Sequence, residues 1–170
     1  MTVHFSIFIF LITIFLFGAN SQSYSDFVVD SLENNFPAEI EYAETEDKRL
    51  VVMFSQQGCP YCDKMRTRIL PNERVNDFFS KHFIMIESNI KGNLSVVSPN
   101  GKEMKEAEMA KSYRVRATPV FIFFDSKGEE ALRLTGFLNS ELFLKAGNFV
   151  VQGMHHKNIS FFSYLKSNTQ

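Results

Sequence analysis

The apolar positions of this chain fall into two rhythms, and the rhythms alternate. From Asp26 to Asp47, Phe27, Val28, Leu32, Phe36, Ile40 and Ala43 recur at helical intervals, and Pro37 divides the segment into two expected short helices. "LVVMFS" (Leu50 to Ser55) is instead a continuous β-branched and aromatic run, the pattern of a strand buried on both faces. After the loop Gln56-Gln57-Gly58, Pro60 stands where a helix begins. Met65, Ile69 and Leu70 give that helix an inner face until Pro71 stops or kinks it, and Val75, Phe78 and Phe79 continue as helix. "HFIMIES" (His82 to Ser88) is the next strand.

Asn93 to Met104 reads as a loop or small hairpin turning at Pro99-Asn100-Gly101, and Lys105 to Val115 has helical composition. "PVFIFFD" (Pro119 to Asp125) and "EALRLTG" (Glu130 to Gly136) are strands whose short connection predicts an antiparallel hairpin. Ser140 to Gly153 opens on a helix-starting Ser and sets Leu142, Phe143, Ala146, Phe149 and Val150 on one face. Ile159 to Ser167 is a short amphipathic helix or tail. A strand–helix–strand unit followed by a hairpin predicts an α/β fold: a mixed central sheet with helices on both faces and an N-terminal helical extension.

The first residues follow neither rhythm. Phe5 to Ala19 is apolar apart from Ser6, Thr13 and Gly18. That is short of the about 20 residues of a membrane-crossing helix but matches the about 7 to 15 of a signal-peptide core. Residues 1–23 are therefore expected to be a signal peptide cleaved after Ser21 or Ser23, and residues 24–170 one domain. The region before the apolar core carries His4 but no Lys or Arg, so an uncleaved anchor is the alternative. Either way the folded part is expected outside the cytoplasm, in the periplasm or secreted.

Composition narrows the function classes. With 18 basic and 19 acidic residues the chain has no polyelectrolyte character, and its densest basic cluster, Lys64, Arg66 and Arg68, reads as the solvated face of a helix. No nucleic-acid partner is expected. The 45% hydrophobic content is that of a chain with a well-buried core.

The only two cysteines are Cys59 and Cys62, at the junction of a strand and a helix. Haem attachment would need His after the second Cys, and Asp63 stands there. A structural zinc site would need ligands beyond the cysteines, and only His4, His82, His155 and His156 are of the right type. His155 and His156, adjacent in a polar loop, read as exposed polar tips rather than ligands, and no metal is expected. A permanent staple across so short a loop gains little chain entropy. Redox chemistry has a physical basis: unpaired N–H groups and the positive end of the helix dipole stabilise a thiolate. Cys59 is thus expected to have a lowered pKa and to be the nucleophile, with Cys62, one turn on, resolving the mixed disulfide.

Here the sequence resembles the thioredoxin family. Cys59-Pro60-Tyr61-Cys62 after the strand is similar to that family's redox motif, and Thr118-Pro119 before "VFIFFD" is similar to its cis-proline loop. The resemblance covers nearly all of Leu50 to Val151. It implies a thioredoxin fold, a cis bond before Pro119, and a partner-binding edge at Thr118 and Pro119. It also implies tuning of the cysteines by Gly58, Pro60 and Tyr61, no cofactor beyond the redox-active disulfide, and a monomer. "GCPYC", "YRVRATPVFIFFD", "LTGFL" and "SFFSYL" look most like exported SoxW-like thioredoxins and are similar to the C-terminal domain of the DsbD reductase. Such proteins reduce periplasmic protein disulfides and are kept reduced by a membrane thiol donor of the DsbD/CcdA type. Disulfide oxidase or isomerase activity and a non-catalytic binding module are the alternatives. The sequence departs from the family where a Trp and a buried Asp usually stand, at Gly58 and Met53. Without that carboxylate, Cys62 must lose its proton to water or another group.

Overall fold

The computed structural model describes residues 25–31 and 33–167. The expected signal peptide lies outside them. Among the described residues no helix is long and apolar enough to cross a membrane.

The first helix, α1, spans Phe36–Thr45, and β1 spans Arg49–Ser55. Next come α2, Pro60–Lys64, which widens into one π-helical turn over Met65–Ile69, and α3, Glu73–His82. Strand β2 is Phe83–Asn89, and β3 (Ser95–Val97) and β4 (Glu103–Lys105) pair as a separate small hairpin. Helix α4 is Glu106–Ser112, β5 Val120–Phe124, β6 Glu130–Thr135, and α5 Ser140–Val151. A 3₁₀ turn, Met154–Lys157, leads to α6, Phe161–Ser167.

The main sheet has the order β2-β1-β5-β6, with β1 parallel to β2 and antiparallel to β5, and β5 antiparallel to β6. Alternation along β1 and β5 sorts their side chains into two cores. Val51, Met53, Phe121 and Phe123 face Met65, Phe79 and Phe143 from the side of α2, α3 and α5. Leu50, Val52, Phe54, Val120, Ile122 and Phe124 face Phe36, Ile40 and Met109 from the side of α1 and α4. The mixed sheet with helices on both faces is therefore the architecture that the hydrophobic pattern predicts.

Of the two helices expected between Asp26 and Asp47, only the second forms. Phe27 is buried 5.2 Å from the ring of Phe79, and its neighbours run along the free edge of β2, where Met85 N–H donates to the Phe27 carbonyl and Val29 N–H to that of Met85. A sheet edge has unpaired backbone groups to offer, and here they outweigh helical periodicity. Pro37 does not divide a helix but occupies its first turn, where the missing N–H costs nothing. Asn35, Asn72 and Asn139 cap α1, α3 and α5, their side chains accepting from Ala38, Val75 and Leu142 N–H. For α5 the cap is thus Asn139, one residue before the Ser expected to open it.

Candidate functional site

Parallel strands β1 and β2 end together, and the chain leaves β1 through Gln56-Gln57-Gly58 into α2. Gly58 has φ +72°, a left-handed conformation that side chains resist, and it turns the chain so that Cys59 arrives in extended geometry as the N-cap of α2. Pro60 takes the first helical position behind it. N-caps are usually Ser, Thr, Asp or Asn; here a sulfur does the work, with Cys59 Sγ accepting from Cys62 N–H at 3.1 Å. Cys59 and Cys62 are joined as a disulfide, 5% and 0% exposed respectively. The outer sulfur is the one a partner can reach.

A second donor converges on the same atom from the far side of the sequence. Thr118 Oγ1 donates to Cys59 Sγ at 3.2 Å, across 59 residues. The Thr118-Pro119 bond is cis, as the resemblance implies. Pro119 is buried at the entry to β5, and its carbonyl accepts from Gly136 N–H at 2.8 Å, which ties the loop to the end of β6. Cys59, Cys62, Gly58, Pro60, Thr118 and Pro119 thus form one constellation, built from the loop before α2 and the loop before β5.

Two surfaces flank it. Tyr61, half exposed, lies 6.4 Å from the exposed ring of Phe137, with Lys64 Nζ 5.4 Å from the centre of the Tyr61 ring. Phe137 was not singled out by the sequence, since a lone Phe after Gly136 has no periodicity to mark it; only the topology brings it beside Tyr61. The other surface is a groove of about 780 Å³ whose lining includes Gln56, Gln57, Gly58, Asp63, Arg66 and Glu87.

That groove contains a carboxylate the sequence reading did not anticipate. Met53 is fully buried, so the β1 position holds no acid, but its register partner on β2 is Glu87. Glu87 accepts from Arg66 Nε at 3.1 Å, from Arg66 Nη2 and from Ser55 Oγ, and Arg66 also pairs with Asp63 at 2.8 Å. Arg66, expected as part of a solvated basic face, is in fact engaged between two acids. Among the described residues neither cysteine belongs to a group of three candidate metal ligands; His155 and His156 stand instead beside Asp125.

A model of the thioredoxin-like domain matches residues 36–150. Among solved structures the chain is similar to a thioredoxin-fold protein from Helicobacter pylori, with 28% identity, TM-score 0.58, and coverage of 71% of this chain and 80% of that one. It is similar also to a thioredoxin from Thermus thermophilus, with 27% identity, TM-score 0.55, and coverage of 74% and 94%. A candidate disulphide-isomerase from Bacteroides thetaiotaomicron has 25% identity, TM-score 0.58, and coverage of 80% and 98%. A search of curated proteins finds no match.

Proposed function

This chain belongs to the thioredoxin-like family, and from that premise we propose that it acts outside the cytoplasm as a dithiol reductase of protein disulfides. The fold and its Cys59–Cys62 pair are those of a thiol–disulfide oxidoreductase. The observation that carries dithiol exchange through Cys59 is the convergence of Cys62 N–H and Thr118 Oγ1 on Cys59 Sγ at the start of α2; the reducing direction rests on the resemblance of its motifs to exported thioredoxins. Two donors and a helix N-terminus favour negative charge on that sulfur once the disulfide is open.

In the reduced protein the Cys59 thiolate attacks one sulfur of a target disulfide. A Cys59–target disulfide forms, and the target's other sulfur leaves as a thiolate that takes up a proton. Cys62 then loses its proton and attacks Cys59 Sγ; the Cys59–Cys62 bond forms and the second target thiol is released. Two electrons pass to the target, and the pair must be re-reduced by a thiol donor of the DsbD/CcdA class. Tyr61 and Phe137 offer apolar contact to residues flanking the target disulfide, and the Thr118-Pro119 loop offers a backbone edge. The apolar run Phe5 to Ala19, of signal-peptide length, supports the extracytoplasmic assignment, and SoxW-like thioredoxins are the subgroup its motifs resemble.

The test is disulfide exchange on insulin with dithiothreitol as the reductant. Cys59→Ser is expected to abolish catalysis, and Cys62→Ser to accumulate a mixed disulfide at Cys59. Full function of Cys59→Ser in a partner-binding assay, with no insulin reduction by the unaltered protein, would instead favour a non-catalytic binding module.

A further inference from the structure

At the far end of β5 from the cysteines a second cluster has no part in dithiol exchange. Asp125 follows β5 directly and is 5% exposed. Its Oδ1 accepts from Lys127 N–H and Glu129 N–H, both at 2.9 Å, which folds the turn into β6 and leaves Oδ2 outside those bonds. Against this turn lies the 3₁₀ turn Met154–Lys157, set between Gly153 and Asn158, both left-handed at φ +63° and +55°. It brings up His155 and His156, whose ring centres are 3.9 Å apart. One ligand atom from each of Asp125, His155 and His156 falls within 4.8 Å of the others.

The decisive feature is His155. Both of its ring nitrogens are shielded from solvent, and neither has a hydrogen-bond partner. An imidazole whose nitrogens are both shielded normally satisfies at least one of them, and leaving both unpaired costs free energy. Burial, His156 and Arg49 push the His155 pKa down while Asp125 pushes it up, and the net shift is downward.

We propose that Asp125, His155 and His156 bind a zinc ion through two imidazole nitrogens and one carboxylate oxygen, with water in the fourth position. Two nitrogens and an oxygen suit Zn²⁺. Ligands about 2.0–2.1 Å from a tetrahedral ion stand roughly 3.4 Å from one another, so closing the site needs movements of the order of 1 Å. His156, exposed at the edge of the turn, has the freedom to make them. Arg49 opposes the cation, and the Asp125 carboxylate offsets it. β5 separates this site from Cys59 by about five residues of strand, roughly 17 Å. Zinc here would clasp the end of α5 to the β5–β6 turn and would stabilise the folded state in proportion to its occupancy.

The test is zinc titration by calorimetry on tag-free protein with the Cys59–Cys62 disulfide intact, so that no thiolate competes. Co²⁺ absorption serves as an independent report of tetrahedral nitrogen and oxygen ligation. One equivalent is expected to bind with micromolar affinity, and His155→Gln and His156→Gln should each weaken it at least tenfold. His156→Gln alters an exposed side chain and keeps the fold intact, and circular dichroism checks this. Absence of saturable binding at 100-fold zinc excess overturns the proposal, and so does binding that both variants leave unchanged. Neither result bears on insulin reduction.

Discussion

Replacing Thr118 by Val removes the hydroxyl that meets Cys59 Sγ at 3.2 Å and keeps the volume and β-branching of the residue before Pro119. In the disulfide form the loss is small, because a neutral sulfur is a weak acceptor. In the reduced form the acceptor is a thiolate, and hydrogen bonds to charged groups contribute about 1.5–3 kcal/mol. Thr118 is only half buried and sulfur charge is diffuse, so about half of that range, roughly 0.7–1.4 kcal/mol, is the appropriate figure. It corresponds to a three- to tenfold fall in thiolate population at a pH where the thiol form predominates. Absorbance at 240 nm reads that population directly. Alkylation by iodoacetamide should slow less, by about two- to fourfold, since the more basic thiolate is also the better nucleophile. An unchanged or larger thiolate population in Thr118→Val would refute the claim that this hydroxyl stabilises the reacting sulfur.

Two further predictions concern the core that holds α2 in place. Phe79 is fully buried and stacks on Phe143 at 4.3 Å, so Phe79→Ala should cost about 3–5 kcal/mol in urea unfolding; a loss below 1 kcal/mol would show that these rings do not form the centre of the core. Gly147 lies in α5 where an added Cβ would come 2.6 Å from Phe78 and 3.0 Å from Phe79. Alanine gains about 1 kcal/mol of helix propensity but incurs about 1–3 kcal/mol of overpacking, and Phe79 has no room to retreat. The net loss is up to about 2 kcal/mol, so Gly147→Ala should lower Tm by up to about 8 °C, and a raised Tm would contradict the packing assigned to α5.

Hydrophobic pattern alone located all four strands of the main sheet, because runs such as "VFIFF" and "LVVMF" are buried on both faces and have no helical reading of the right length. It misread Phe27 and Val28, whose spacing suits a helix but whose backbone pairs with the edge of β2; no local signal reports an unpaired strand that lies far along the chain. The cysteines were legible for a different reason. Their spacing and the strand before them state a geometry, and Thr118-Pro119 supplies the opposing wall. What stayed hidden was everything that depends on which strands are neighbours: Glu87 beside Met53, Phe137 beside Tyr61, and Asp125 beside His155. Adjacent histidines in a polar stretch read as exposed tips, and only the fold shows that the nitrogens of one are shielded and unpaired.

The reductase assignment rests on the poise of the Cys59–Cys62 pair, and its reduction potential is the direct measurement. Equilibration with defined ratios of reduced and oxidised dithiothreitol or glutathione, read by thiol trapping, gives it. The account predicts a value near that of thioredoxin, about −270 mV, at which the pair donates electrons to most strained protein disulfides. A value near that of DsbA, about −120 mV, would contradict it and make the protein an oxidant.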